Sequence, residues 1–321
     1  MQYQWDESSK TLTVTSDDPN VESTQTIHQN DAVHIRIRGS IKKLGNFIFS
    51  NYTNVETIEF PDSIEELGNN VITFSLITEI RLPFQLKTVE PLGPFEYNYK
   101  LEKYIINPNH ANFKVIDGVL YSRDMTKIIS IPPNWNSKIF TVPYGVITIF
   151  CSATDCLQNI EQLIFPQTVS YIEGILFKPK VIKKFIIYRK VNSQDQITWA
   201  QTIDDFANSS VQKNDIKYVY SNVYSTYFKE NKTAVVSTTN NNNKYEYSDN
   251  ILSHDTNINT IIYPKSVDKI SSSCFKPMSH NSFYIQDFTG YTTITIKNHL
   301  YTTYCSNYLS IHFSLSFILL L

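Results

Sequence analysis

One pattern is written twice between Val55 and Pro83, and it limits what this chain can become. V-E-T-I-E-F-P-D-S-I-E-E-L-G is followed by I-T-E-I-R-L-P-F-Q-L-K-T-V-E. In each copy apolar residues stand six, three and one positions before a proline, and again three and six after it. Val55, Ile58, Phe60, Ile64 and Leu67 therefore align with Ile77, Ile80, Leu82, Leu86 and Val89, and the two prolines are 22 residues apart. Such an interval is a repeat period. Alternation before the proline suits a short strand with one buried face, and the three-residue steps after it suit a tight turn or a helical coil. The proline belongs at the strand end, because it has no N–H to give a ladder. One unit has nothing to bury its apolar edge against, so the pattern predicts stacked units sharing a continuous core. The expected fold is a β-rich solenoid with a parallel strand face and short turns or helical coils on the other face.

Taken in order, residues 1–30 read as an N-terminal cap: Trp5, a turn over Asp6 to Lys10, then the alternating Thr11 to Thr15. Repeats run through 31–190. Ile35, Ile37, Ile41 and Leu44-Gly45 fit the template with Arg38 in the proline slot, Asn107 takes the slot after Tyr104, and Pro166 and Tyr188 take later ones. Within this block, about 113–133, F-K-V-I-D-G-V-L-Y-S-R-D-M-T-K-I-I-S-I-P-P reads as a hairpin insertion, Val119 to Ser122 turning through Arg123 to Thr126 into Lys127 to Ile131. The segment recurs without a gap 132 residues later, where Asp249, Ile251, Leu252, Ile261 and Pro264 match Asp117, Val119, Leu120, Ile129 and Pro132. Residues 191–248 fade into polar sequence, including Asn240 to Asn243, and read as an irregular insertion or degenerate repeats. A second repeat block follows at 249–300. The apolar tail 301–321 reads as a last strand or cap, a truncated membrane segment being the alternative, since Leu309 to Leu321 is shorter than the ~20 residues a spanning helix needs.

The template apolar-x-x-Ile-x-Ile-Pro-x-x-Val-x-x-Ile-Gly-x-x-Ala-Phe closely resembles BspA-like leucine-rich repeats, with its best copies here at Val55 to Gly68 and Ile160 to Phe177. The Asp117-Gly118-Val119-Leu120-Tyr121 segment ending in Ile131-Pro132-Pro133 is similar to one common in that family. The resemblance implies a leucine-rich-repeat solenoid and a surface protein that binds host or matrix proteins. The start of the chain, Met1 to Lys10, shows no positively charged stretch followed by an apolar run. That favours an intracellular protein-interaction scaffold as the alternative. A glycan-binding module is a third reading, which 21 tyrosines permit.

In stacked parallel strands the residue two before each slot points away from the core, its equivalents ~4.8 Å apart from strand to strand. That row reads Arg36, Glu59, Arg81, Ile105, Ser130, Thr141, Ile164, Ile186, Ile262. Its first third alternates in sign, so neighbours can pair. Its later part carries isoleucines where a solvated face would carry polar side chains. Ile105, Ile164 and Ile186 are the expected apolar centre of a protein-binding face, with Lys103, Gln162 and Lys184 from the row four before the slot lending specificity around it. The competing expectation is that residues 191–248 fold over these isoleucines, or that two copies pair through them.

No G-x-S-x-G, H-E-x-x-H, G-x-G-x-x-G or Walker-type stretch occurs, so no enzyme activity, cofactor or metal is expected. His28 and His34, flanking a turn, and His254-Asp255 read as solvated. Glu65, Glu66, Glu79 and Glu90 read as exposed carboxylates. Cys151, Cys156, Cys274 and Cys305 lack metal or disulfide spacing and read as small buried residues. The basic run of Lys178, Lys180, Lys183, Lys184, Arg189 and Lys190 alternates with apolar residues, as a lysine-rich exposed strand face does. With a formal net charge of −2 for the whole chain, it does not predict a nucleic-acid partner.

Overall fold

Each of Pro61, Pro83, Pro143 and Pro166 follows a short strand that runs up to it and opens a turn in which its carbonyl accepts the N–H three residues on, from Ile64, Leu86, Val146 and Val169, at 3.2–3.3 Å. The chain thus bends at the same phase of these four repeats. A computed structural model gives the result. It describes residues 1–150, 153, 156–173 and 181–189, together with strand backbones between residues 216 and 312.

The front of the solenoid is built of parallel strands. Thr11–Ser16, His34–Gly39 and Thr57–Glu59 pair in sequence, with Gln2–Asp6 antiparallel to the first of them. Glu79–Arg81 pairs with Lys103–Ile105, and further along Ile139–Thr141, Gln162–Phe165, Lys184–Arg189 and Ile216–Tyr220 form one parallel sheet. The residue three before each slot faces inward and is buried, as with Ile35, Ile58, Ile80, Tyr104, Phe140, Leu163 and Phe185. Ile261 lies outside the residues whose side chains are described, but its backbone holds a ladder position between Ala234 and Ile285.

The other side differs in one respect from the expected turns or helical coils. It carries short parallel strands: Asn20–Val21, Lys43–Leu44, Glu66–Leu67 and Thr88–Val89 form one ladder, and Phe49–Ser50 pairs with Ile72–Thr73. The cause is a rung-to-rung backbone bond that recurs four residues after the slot. Glu65 N–H donates to the Lys42 carbonyl at 2.7 Å, Lys87 to Glu65 at 2.7 Å, and Ile147 to Thr126 at 2.7 Å. Stacked units already hold these residues extended, so the strand geometry satisfies groups that a coil would leave to water.

Around 113–133 the chain departs from the repeat. Phe113–Ile116 and Val119–Ser122 pair antiparallel through the two-residue turn Asp117-Gly118, both with positive φ, and Lys127–Ser130 pairs antiparallel with Val119–Ser122. Asp-Gly with both residues left-handed is the favoured short hairpin turn. Gly118 is also required by packing, since a Cβ there would lie 2.8 Å from that of Lys103. Gly39 is similarly constrained: at φ +101°, a Cβ would meet the Ser16 carbonyl oxygen at 2.0 Å. A register shift between Leu120 and Tyr121 turns Ser130 inward. Ser130 therefore leaves the outward row in which its sequence position places it; it is buried, 2.8 Å from Tyr104 Oη.

Buried polar side chains close the gaps between rungs. Asn98, 0% exposed, accepts from Ser75 N–H (2.9 Å) and Ser75 Oγ–H (2.6 Å) on Oδ1, and donates through Nδ2 to the carbonyls of Ile72 (2.8 Å) and Phe95 (2.9 Å). All four bonds are made, so truncation strands several buried groups at once. Asn98→Ala is expected to lower stability by about 2–4 kcal/mol, measured by urea denaturation. A loss within error of zero would mean that water replaces the side chain.

Candidate functional site: the outward strand face

On the outward side of the front strands, side chains from successive rungs stand in register. Arg36 faces Glu59, Glu79 faces Lys103, Arg81 faces Ile105, Gln162 faces Lys184, and Ile164 faces Ile186. Of the row expected to pair by alternating sign, Arg36 reaches Glu59 at 3.2 Å; Glu59 takes its second cation from Arg38 at 2.7 Å rather than from Arg81, and in the neighbouring row Glu79 takes Lys103 at 3.0 Å. Two carboxylates do more, each bridging the rung before and the rung after. Glu65 lies between Lys42 (2.6 Å) and Lys87, and Glu161 between Lys138 (2.8 Å) and Lys183 (2.8 Å). Hydrogen bonds from their lysines hold both carboxyls well below the usual range, at about 2. Lys183 is therefore compensated, Lys184 is exposed, and Lys178, Lys180 and Lys190 of the basic run lie outside the described residues.

The predicted site residues fall into two groups. Gln162, Ile164, Lys184 and Ile186 share adjacent strands, while Lys103 and Ile105 belong to a different sheet. One expectation is corrected. Ile164 and Ile186 point away from the main core as their register demands, but they are not an open patch: they are 3% and 9% exposed. They form a small separate cluster against Ile139, Tyr144 and Tyr188. Packing against Ile139 and the rings of Tyr144 and Tyr188 contributes to that burial, which favours isoleucine in an outward row. The competing expectation, that residues 191–248 fold over these isoleucines, falls on side chains outside the described residues.

Lys103 and Ile105 are placed differently. Lys103 is exposed and Ile105 half-buried, and together they line a cleft of about 430 Å³ between the end of their strand and the hairpin, whose other wall holds Lys114, Val115 and Arg123. The loop joining the two walls is pinned by His110, which is buried. Its Nδ1 accepts from the N–H groups of Asn112 (3.2 Å) and Phe113 (3.1 Å), and its Nε2 lies 3.2 Å from the Pro83 carbonyl. Burial lowers its pKa, which keeps the ring neutral as that bonding requires. Arg123 donates to the Pro108 carbonyl at 2.8 Å, tying the far wall to the near one.

Two features escape the sequence reading. Glu96 is buried, one of its oxygens has no hydrogen-bond partner, and burial raises its pKa to about 7. Phe74, Tyr97 and Tyr99 gather at the surface: the first two rings stack at 5.2 Å, and Tyr99 lies 6.4 Å from Phe74. Phe74 and Tyr97 have positive φ, rare for bulky residues, and Phe74 and Tyr99 are 43% and 44% exposed. His34 bonds Thr57 at 2.8 Å and His28 stacks on Trp5, so the two histidines are separately occupied. Among the described residues no group of three or more His, Cys, Asp or Glu side chains is placed to hold a metal, and no helix is long and apolar enough to cross a membrane. Cys156 is buried; the other three cysteines and His254-Asp255 lie outside the described residues.

Residues 26–137, 155–280 and 196–308 match the BspA type leucine rich repeat region, together well over half of the chain. The chain belongs to this family. The inward ladder of the BspA-type repeat is thus the row of Ile35, Ile58 and Ile80. Solved structures with a similar fold include a leucine rich cell surface protein from Faecalibacterium prausnitzii A2-165, at 16% identity and a TM-score of 0.46 over 78% of this chain. The chain spans 60% of that protein's length. A leucine-rich repeat protein from Eubacterium ventriosum is 13% identical, with a TM-score of 0.40 over 88% of this chain and 90% of its own. The pneumococcal vaccine antigen PcpA is 15% identical, with a TM-score of 0.43 over 84% of this chain and 71% of its own. No curated protein matches the chain.

The bridging carboxylates of the BspA-type rungs carry a pH signature. Their pKa values are lowered on folding, so the stability they add is complete above the ordinary carboxylate value of 4.5 and is lost as pH falls toward about 2. Glu161→Gln should therefore be less stable than the parent at pH 7 and equal to it near pH 2. A difference independent of pH across that window, in denaturation curves, would show that the carboxylate does not bridge.

Proposed function

We propose that this BspA-type chain is a non-enzymatic protein-interaction module that engages its partner through the outward strand face. The observation that carries the reading is the register itself. Side chains from consecutive rungs, Arg36 with Glu59 and Arg81 with Ile105, are held in line on a backbone that has no freedom to rearrange them. A rigid row lowers the ordering cost that a flexible loop would incur on binding. Family membership supports placing that interaction at a cell surface, as adhesion to host or matrix proteins. Lys103 and Lys184 are exposed and Ile105 and Gln162 half-buried on the face; Ile164 and Ile186 support it from a buried position.

A glycan-binding reading is favoured by a different place, the Phe74, Tyr97 and Tyr99 cluster, because exposed rings suit the apolar faces of sugars.

Placing a photo-crosslinking residue at Arg81 on the strand face, and at Glu90 on the side of the solenoid, separates the readings. With immobilised matrix proteins as bait, cross-links are expected from position 81 and not from position 90. Equal yields from both positions would contradict face-specific binding, and binding to a glycan array that Tyr99→Ala abolishes would favour the aromatic cluster. Impermeant biotin labelling of intact producing cells tests the setting. Labelling only after lysis would return the chain to an intracellular scaffold.

A further inference from the structure

The cleft beside Lys103 breaks a rule that much of the molecule follows. Arg36, Arg38, Lys42, Lys43, Lys138 and Lys183 each have a carboxylate within 3.2 Å. At the cleft, Lys103, Lys114 and Arg123 stand around one hollow whose lining includes no carboxylate. Lys103 is answered by Glu79 from the neighbouring rung, whereas Lys114 and Arg123 pair with no carboxylate among the described residues. Three cations around a hollow whose lining holds no carboxylate is an unfavourable arrangement for the free chain, and an anion in the hollow relieves it.

The remaining lining describes the anion's carrier. Ile105 and Val115 give the hollow apolar patches, and Asn107 is its neutral hydrogen-bonding side chain. The strand Lys103–Ile105 is paired on one side only, with Glu79–Arg81, in a two-stranded sheet. On its other side the hairpin turn reaches Tyr104, whose N–H donates to the Gly118 carbonyl at 2.9 Å, and the cleft opens beyond that point toward Ile106 and Asn107. An interrupted strand edge is a template for an extended segment of another chain. The volume, about 430 Å³, suits a few residues of such a segment.

We propose that this cleft takes a short extended segment of a partner protein carrying acidic side chains alternating with apolar ones, its carboxylates received by Lys103, Lys114 and Arg123. The proposal rests on the protein-binding reading of the strand face and names the chemistry of what is bound. A sugar fits less well, because the cleft's single aromatic residue, Tyr104, is buried with its hydroxyl committed to Ser130. A nucleic acid fits less well because exposed Glu79 and Glu102 flank the cations, and a long polyanion would meet them.

The test is selection of random dodecapeptides displayed against the full chain, followed by fluorescence anisotropy with the enriched peptides. Enriched sequences are expected to alternate acidic and apolar residues. Their affinity should fall at least tenfold in Lys114→Glu and weaken as salt is raised. Lys114 is exposed on a hairpin strand, so this variant keeps the fold, checked by its melting curve; Arg123→Gln, which also removes the bond to Pro108, is the second variant. Enriched peptides without acidic bias, or acidic peptides that bind Lys114→Glu unchanged, would overturn the proposal. If such peptides instead lose affinity in Arg81→Glu, strand-face binding survives and the cleft does not. Heparin binding abolished by Lys114→Glu, with no acidic peptide enriched, would assign the cleft to a polyanion and also overturn it.

Discussion

Each rung of this solenoid can bury its apolar edge only against the rung on either side. Ile58 has Ile35 in register before it, and Leu163 has Phe140 before it and Phe185 after it. No unit completes a core alone, so the energy of folding resides in the interfaces between units. The rest follows from keeping those interfaces aligned: the prolines that end four of the front strands, the turns that their carbonyls close, and the backbone bonds that step from Lys42 to Glu65 to Lys87. Charge is arranged on the same interval. Glu65 and Glu161 each join three rungs through two lysines, a short network of the kind that outperforms isolated surface pairs.

The functional geometry is a consequence of that stacking and of one interruption in it. Where the repeat is regular, outward side chains are placed in line and compensate one another. Where the hairpin at 113–130 intervenes, the front ladder breaks between Lys103–Ile105 and Ile139–Thr141, and the break leaves a cleft with unanswered positive charge. Buried polar groups mark the same region: Tyr104 with Ser130, His110 with the loop amides, and Glu96, whose pKa burial raises to about 7. A regular solenoid supplies rigidity, and its irregular turn supplies a shape that differs from its neighbours.

The inward rungs were legible in the sequence because a proline with three apolar residues before it and two after it recurs at one phase. Register followed from that phase, down to Ile164 opposite Ile186. Exposure did not follow. Tyr144 and Tyr188, which help bury those isoleucines, stand at or beside proline slots, where the template assigns no outward role. The Asp117-Gly118 signal was visible, yet the strand before it, Phe113–Ile116, was not read as a hairpin partner, and the register shift between Leu120 and Tyr121, which turns Ser130 from the outward row to the interior, leaves no mark in the pattern. Glu96 and Asn98 sit in a loop between repeats, where composition carries no phase. The short strands behind the prolines were missed because two residues cannot display a period; only stacking makes them strands.

Amide hydrogen exchange on the intact chain tests the stacking most directly. If rungs hold one another, the amides that bond rung to rung, those of Glu56, Glu65, Lys87, Glu102 and Ile147, are protected together, with Glu65 and Lys87 standing at the same phase of successive repeats. Turn amides such as those of Asp62, Ser63, Gln167 and Thr168 exchange far faster. Protection in long continuous blocks, or Glu65 and Lys87 exchanging as fast as the turns beside them, would contradict the account.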